Sequence, residues 1–303
     1  MAVEAVAHAT GKIIHTALDK TAAYALNLDA KVSAEIQGDK SGVHGKVPSH
    51  VKKTATKTLK AFGCERYGLT VALESRIPQN SGLGEAEAAC LATALATTAA
   101  LAKRHGAVNE LKIDKFMREQ YMIVEGNLVD KKKLLGLCAG EYDRLFCSLY
   151  GGFAVCDNRK LEILRRGEME TLQAVVATPK KKQKLQKDRL TAYRHEADLI
   201  WDEALKGNLY GAMRLSTLLY ADPLAPRMLA AGSFAANTTY PSCVAFARDA
   251  ESAKKIAGSV RKEASVTVTQ TANTQSCAMV KPVRIVKAKE FLEMRAGQEY
   301  FFL

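Results

Sequence analysis

The first residues whose types and spacing suggest chemistry are Ile77-Pro78-Gln79-Asn80-Ser81-Gly82-Leu83-Gly84, a turn-rich loop that runs into Glu85-Ala86-Glu87. A Gly-rich loop feeding a helix N-terminus forms an anion niche, because unpaired backbone N–H groups and the positive dipole end meet there. Here two carboxylates fall in that niche, where a first-turn acid stabilises its helix by about 0.3–1 kcal/mol. A second chemical feature is charge: 44 Lys and Arg stand against 32 Asp and Glu, a net +12. That excess points to anionic partners: phosphorylated metabolites, nucleic acid or an acidic protein. Lys46, Lys52, Lys53, Lys57 and Lys60 form one cluster, and Lys180, Lys181, Lys182, Lys184 and Lys187 another. Neither is interleaved with the aromatics that stack single-stranded bases, so both read as solvated faces. The seven cysteines are scattered, form no CxxC pair and have no His cluster beside them, which argues against a disulfide frame or a zinc site and for a reduced, cytoplasmic setting.

The elements that must position these residues alternate along the chain. Residues 3–36 read as mixed strand and helix, and 37–50 as a polar loop. Lys52–Phe62 is expected to be an amphipathic helix with its lysines outward. Tyr67–Leu73 alternates as a strand, and Glu85–Arg104 follows the loop as a small-residue helix suited to close backbone packing. Asp114–Leu128 is expected to be a helix capped by Asp114. Tyr150–Asn158 reads as a buried strand entered through glycines and paired with Leu161–Leu164. Later strands are expected at 173–178, 243–247, 265–271 and 281–287, and later helices at 188–206, 209–220 and 250–263. The longest apolar run, Ala88–Leu101, is shorter than the ~20 residues of a membrane span. The N-terminus lacks the basic start of a secretory signal. The fold class is α/β or α+β.

The order of the pieces resembles the GHMP kinase superfamily, and within it the archaeal-type shikimate kinases. The motifs that carry the resemblance are strand, Pro-x-x-x-Gly-Leu-Gly at 78–84 and small-residue helix; Ser148-Leu149-Tyr150-Gly151-Gly152-Phe153 with Asp157-Asn158; Ala204–Leu215 with Leu218-Leu219-Tyr220; and Val266–Asn273. The opening segment, with Lys20-Thr21-Ala22-Ala23-Tyr24, is similar too. The resemblance implies a two-domain α+β fold with a cleft, an N-terminal domain over 1–158 and a C-terminal domain over 159–303 that includes an extra strand and tail at 281–303. In an active member, ATP and shikimate would meet in that cleft, and the γ-phosphoryl group would pass to a hydroxyl.

Three motifs depart from that pattern. The family has serines after Gly-Leu-x, where this chain has Glu85, Ala86 and Glu87 beside Gly82, Leu83 and Gly84, so the metal-binding hydroxyl is missing at Ala86. Counting seven residues back from Gly151 places Arg144 at the catalytic Asp, and Asp143 one residue off. Arginine cannot act as a base at neutral pH. In the late glycine motif, Thr238 and Tyr240 replace glycines ahead of Pro241-Ser242. Glu125 matches the family's metal-binding Glu. Lys12, His15 and Lys20 lie where the family places substrate. Arg144 is expected to pair with Glu85 or Glu87 and plug the cleft. The reading that follows is a degenerate homologue that has lost ATP-dependent transfer, needs no cofactor, and serves as a scaffold for a protein partner or an anionic small ligand. Nucleic acid is a weaker candidate partner, and no membrane partner is expected. The alternatives are an active shikimate kinase using Mg–ATP, or a repurposed enzyme with Glu85 or Glu87 as acid/base and Arg144 gripping an anion.

Overall fold

The computed structural model describes residues 2–16, 19–38, 41–105, 121–124, 127–181 and 192–274. The chain opens with two long antiparallel strands, β1 (Val3–His15) and β2 (Lys20–Gln37), in place of the mixed strand and helix expected there. β2 is the spine of the first sheet. One edge pairs with β1 over its length; the other pairs with β7 (Phe153–Asp157) in its first part and β4 (Gly68–Ser75) in its second. A short β3 (Gly42–His44), inside the stretch read as loop, adds to β4 in parallel. β8 (Glu162–Gly167) pairs with β7 across the Asp157–Leu161 turn, so this sheet continues beyond residue 158.

Two helices cover the sheet. α1 (Ser49–Ala61) buries Val51, Thr54, Ala55, Thr58 and Leu59 and leaves Lys52, Lys53, Lys57 and Lys60 exposed, as its periodicity predicts. α2 (Glu85–His105) is buried nearly all round; Ala88, Ala92, Ala96 and Ala99 let it lie close on the β1–β2 ladder. Of the expected helix at 114–128, the described residues form a hairpin instead, β5 (Tyr121–Val124) with β6 (Asn127–Asp130). Val and Ile crowd there, and β-branched side chains favour a pleated surface. Then come α3 (Lys131–Leu137) and α4 (Tyr142–Tyr150), the latter closed by Gly151 at φ +73°.

The second sheet is antiparallel in the order β10–β11–β9–β12. Its strands are β9 (Gln173–Pro179), β10 (Ala235–Thr239), β11 (Ser242–Ala247) and β12 (Ala264–Gln270). α5 (Arg194–Lys206) ends at left-handed Gly207, and Asn208 caps α6 (Leu209–Tyr220) by accepting from Gly211 N–H at 3.1 Å. α7 (Ala225–Ala230) and α8 (Ala250–Val260) complete this half. The strand expected at 281–287 and the tail to 303 lie outside the described residues. Among the described residues no helix is long and apolar enough to cross a membrane.

Candidate functional site

The site is built where β1, the 78–84 loop, the start of α4 and the β10–β11 turn meet. β1 is fastened to β10 at Lys12: its N–H donates to Thr239 Oγ1 at 2.9 Å, and its carbonyl accepts from Asn237 Nδ2 at 2.9 Å. Asn237 is oriented by Tyr24, whose hydroxyl donates to Asn237 Oδ1 at 2.8 Å. Tyr24 stands opposite Gly11 on the ladder, and a Cβ on Gly11 would lie 2.1 Å from the ring, so only glycine leaves room. Burial pushes the Tyr24 phenol far up, and it stays a neutral donor.

This framework points the nearly buried Lys12 side chain at two acids. Its ammonium contacts Glu141 Oε2 and lies 3.5 Å from Asp143 Oδ2. Glu141, at the N-cap of α4, also has Oε1 3.0 Å from His15 Nδ1 and Oε2 3.3 Å from Arg144 Nε. Burial opposes its charge, but the hydrogen bond from His15 and the Lys12 and Arg144 charges hold the carboxyl well below its usual range. Asp143 is fully buried. Its N–H donates to Asn158 Oδ1 at 3.1 Å, and Asn158 Nδ2 donates back to Asp143 Oδ1 at 3.2 Å. Its other oxygen, Oδ2, has no hydrogen-bond partner and faces Lys12.

Arg144 turns to the loop. Its Nη1 donates to the Gly82 carbonyl at 2.7 Å, and among the described residues it makes no ion pair with Glu85 or Glu87. The expected pairing is therefore corrected: Glu141 holds Arg144. Adjacent residues in the first turn of α4 thus serve different neighbours, Asp143 facing β1 and Arg144 facing the loop, because a helix turns by about 100° per residue.

The loop is tightly enclosed. Gly82 has φ +74°, and a Cβ there would lie 2.0 Å from the Tyr240 carbonyl oxygen and 2.5 Å from that of Thr239. Gly84 has φ +69° and faces Thr10 Oγ1, while the buried Leu83 accepts from Thr10 N–H at 2.9 Å. Glu85 is half-buried in the first turn of α2; burial raises its carboxyl, and His50 partly offsets this. Ala86 is exposed, and Glu87 lies against the Gly140 turn. Thr238 is buried and donates to Asp222 Oδ2 at 2.8 Å; Tyr240 is half-buried at the β10–β11 turn. Neither takes a positive φ, so the chain reaches Gly82 through the carbonyls of Thr239 and Tyr240 without glycines of its own.

Of the residues expected in the site, the structure brings Lys12, His15, Asp143, Arg144, the loop and the 238–240 turn together. Lys20 stands apart, its ammonium 4.7 Å over the Trp201 ring. Glu125 lies outside the described residues. Among the described residues no cluster of three or more His, Cys, Asp or Glu is placed to hold a metal ion. Sequence reasoning missed Glu141, a lone acid without a motif. It also assigned no role to Asn237 and Thr239, whose partners lie some 225 residues away in β1.

The fold defines the class: the chain has the architecture of the GHMP kinases. Solved structures with this fold include a homoserine kinase from Cytophaga hutchinsonii (TM-score 0.59, 18% identity, 90% of this chain and 96% of that one) and an L. major mevalonate kinase with R-mevalonate (TM-score 0.60, 12% identity, 91% and 97%). In sequence, the chain is similar to archaeal shikimate kinases. That of Methanothrix thermoacetophila is 29% identical over 208 residues, 66% of this chain and 67% of the relative. That of Methanosarcina acetivorans is 28% identical over 232 residues, 73% and 74%. No family model matches the chain.

Proposed function

We propose that the chain is a shikimate-kinase-like protein that binds a small hydroxylated acid in the GHMP cleft and has given up phosphoryl transfer from Mg–ATP, its fold serving as a scaffold for that ligand or for a protein partner. The observation that carries this reading is the loop's enclosure. Arg144 is bonded to the Gly82 carbonyl, and the Thr239 and Tyr240 carbonyls close on Gly82. A phosphate cradle presents donors, whereas these carbonyls present acceptors to it. Glu85 and Glu87 add negative charge at the helix start. At an effective dielectric of ~20, one like-charge contact at ~5 Å costs roughly 3 kcal/mol. Ala86 offers no hydroxyl to a metal. These residues do not fit a magnesium triphosphate.

The other half of the site carries the groups that a hydroxylated ligand would meet. Lys12 can donate to a ligand oxygen, and the unbonded Oδ2 of Asp143 can accept from a hydroxyl. Thermal melts test the reading. Shikimate, or another hydroxylated carboxylate from a small panel, should raise the melting temperature by several degrees, and Mg–ATP should not. A shift with Mg–ATP together with accumulation of phosphorylated shikimate would overturn it. That outcome is the second reading, an active kinase, and one observation favours it: the buried Asp143 beside Lys12 retains the acid–base pair that such a reaction needs.

A further inference from the structure

Three basic side chains from two elements converge on the Glu141 carboxylate: Lys12 and His15 from β1 contact it directly, and Arg144 from α4 makes an ion pair with Nε 3.3 Å from Oε2. They differ from it in how firmly they are held. The Lys12 and Arg144 side chains are 8% and 11% exposed, while that of Glu141 is 35% exposed. Lys12 is pinned through its backbone by Asn237 and Thr239, and Arg144 through Nη1 by Gly82. Glu141 occupies the N-cap of α4, yet its side chain makes no capping hydrogen bond. It can swing outward without uncapping the helix, while Arg144 stays bonded to the Gly82 carbonyl and the Lys12 ammonium stays beside Asp143. Two basic side chains, Lys12 and Arg144, face two carboxylates, Asp143 and Glu141. If Glu141 leaves, a fixed, partly buried site keeps one uncompensated positive charge, with a hydrogen-bonding His15 beside it. Such a site attracts an oxyanion.

We propose that the seat occupied by Glu141 is the oxyanion subsite of the cleft, and that the Glu141 side chain is a built-in competitor displaced by the carboxylate or phosphate group of the ligand. This deepens, and rests on, the reading of the cleft as a binding site for a small hydroxylated acid. It also narrows the ligand. Asp143 Oδ2 lies 3.5 Å from the same Lys12 ammonium that holds the seat, so the ligand carries its acid group and a hydroxyl within a few bonds of each other.

The test is chemical rescue. Glu141→Ala is melted in acetate, formate, inorganic phosphate and chloride at equal ionic strength. The oxyanions should raise its melting temperature by several degrees over chloride and leave the wild type nearly unmoved. An equal response of variant and wild type would overturn the proposal. Should Glu141→Ala fail to fold, Glu141→Gln keeps the side chain's shape while removing its charge. Calorimetric titration should then show inorganic phosphate bound about tenfold tighter by Glu141→Gln than by the wild type, and equal affinities would overturn the proposal. The two readings fail separately. If Glu141→Ala binds acetate while the wild type ignores every hydroxylated acid, the seat stands and the proposed function falls. If the wild type binds such an acid and neither variant gains affinity for oxyanions, the seat falls alone.

Discussion

Lys12 is a single ammonium facing two acids, and its removal leaves Glu141 with His15 and the Arg144 charge and leaves Asp143 buried without that cation beside it. Breaking one partner out of such a buried pair costs about 3–5 kcal/mol, so Lys12→Met should lose that much in urea unfolding, and distinctly less when Asp143→Asn is already present. The two glutamates should respond to pH with opposite signs. Glu141 is held below its ordinary value of 4.5, so its contribution is complete above that value and is lost as pH falls toward the lower folded value. Wild-type melting temperature should therefore drop more steeply than that of Glu141→Gln between about pH 5 and pH 3. Burial raises Glu85 above its ordinary value, so its favourable term exists at low pH and is lost as pH rises. Glu85→Gln should thus stabilise the protein near neutrality and have little effect in acid. Only part of this was legible in the sequence. Counting from Gly151 picked Arg144 for the base position, but the side chain that reaches Lys12 is that of Asp143, since register at a helix start is set by what flanks it. Glu141 gave no signal, because one acid among 32 acidic residues has no pattern until His15 and Lys12 fold against it.

The elements differ in how plainly they could be read. α2 and the β7–β8 hairpin were visible, one from its run of small residues and the other from its entering glycines and the turn after Asp157. β1 and β2 were visible only as mixed strand and helix, because they are Ala-rich, and alanine marks neither period; at 13 and 18 residues they also exceed the usual strand length of about 5–6 residues. Their alanines have a physical reason. The first half of β2 is buried on both faces, with Ala23 and Ala25 packed against Phe146 and Cys147 of α4 and Tyr24 against Phe246 of the second sheet. Gly11 is the extreme case. Gly11→Ala would drive a methyl into the Tyr24 ring, which is held by Asn237 and lies edge-on to Phe246 with centroids 5.4 Å apart. Overpacking of this kind costs about 1–3 kcal/mol, and chemical denaturation should show it. Combining Gly11→Ala with Tyr24→Leu should recover part of the loss. Tyr24→Leu alone should loosen Asn237 and with it the grip on Lys12, so it should also weaken any ligand that depends on Lys12.

At the scale of the molecule, the site is assembled from β1 near residue 12, the loop near 82, α4 near 143 and the β10–β11 turn near 240. A motif read alone could report that each piece had changed, but not that the changes touch. Arg144 reaches Gly82, Gly82 meets the 239–240 carbonyls, and Thr239 holds Lys12. The departures from the kinase pattern are thus coupled through contacts, and coupled sites do not revert one at a time. Restoring hydroxyls alone, with Glu85→Ser, Ala86→Ser and Glu87→Ser, removes the like charges but leaves Gly82 enclosed and Arg144 in place. That triple variant should remain without a Mg–ATP thermal shift. Adding Arg144→Asp removes the guanidinium from Gly82, and Tyr240→Gly allows the turn to back away from the loop. If the enclosure is what excludes the nucleotide, a Mg–ATP shift should emerge only in the combined variant, and isothermal titration should show the same order of gain. A triple variant that already binds Mg–ATP would place the whole barrier in residues 85–87, and the contacts around Gly82 would then carry no part of it.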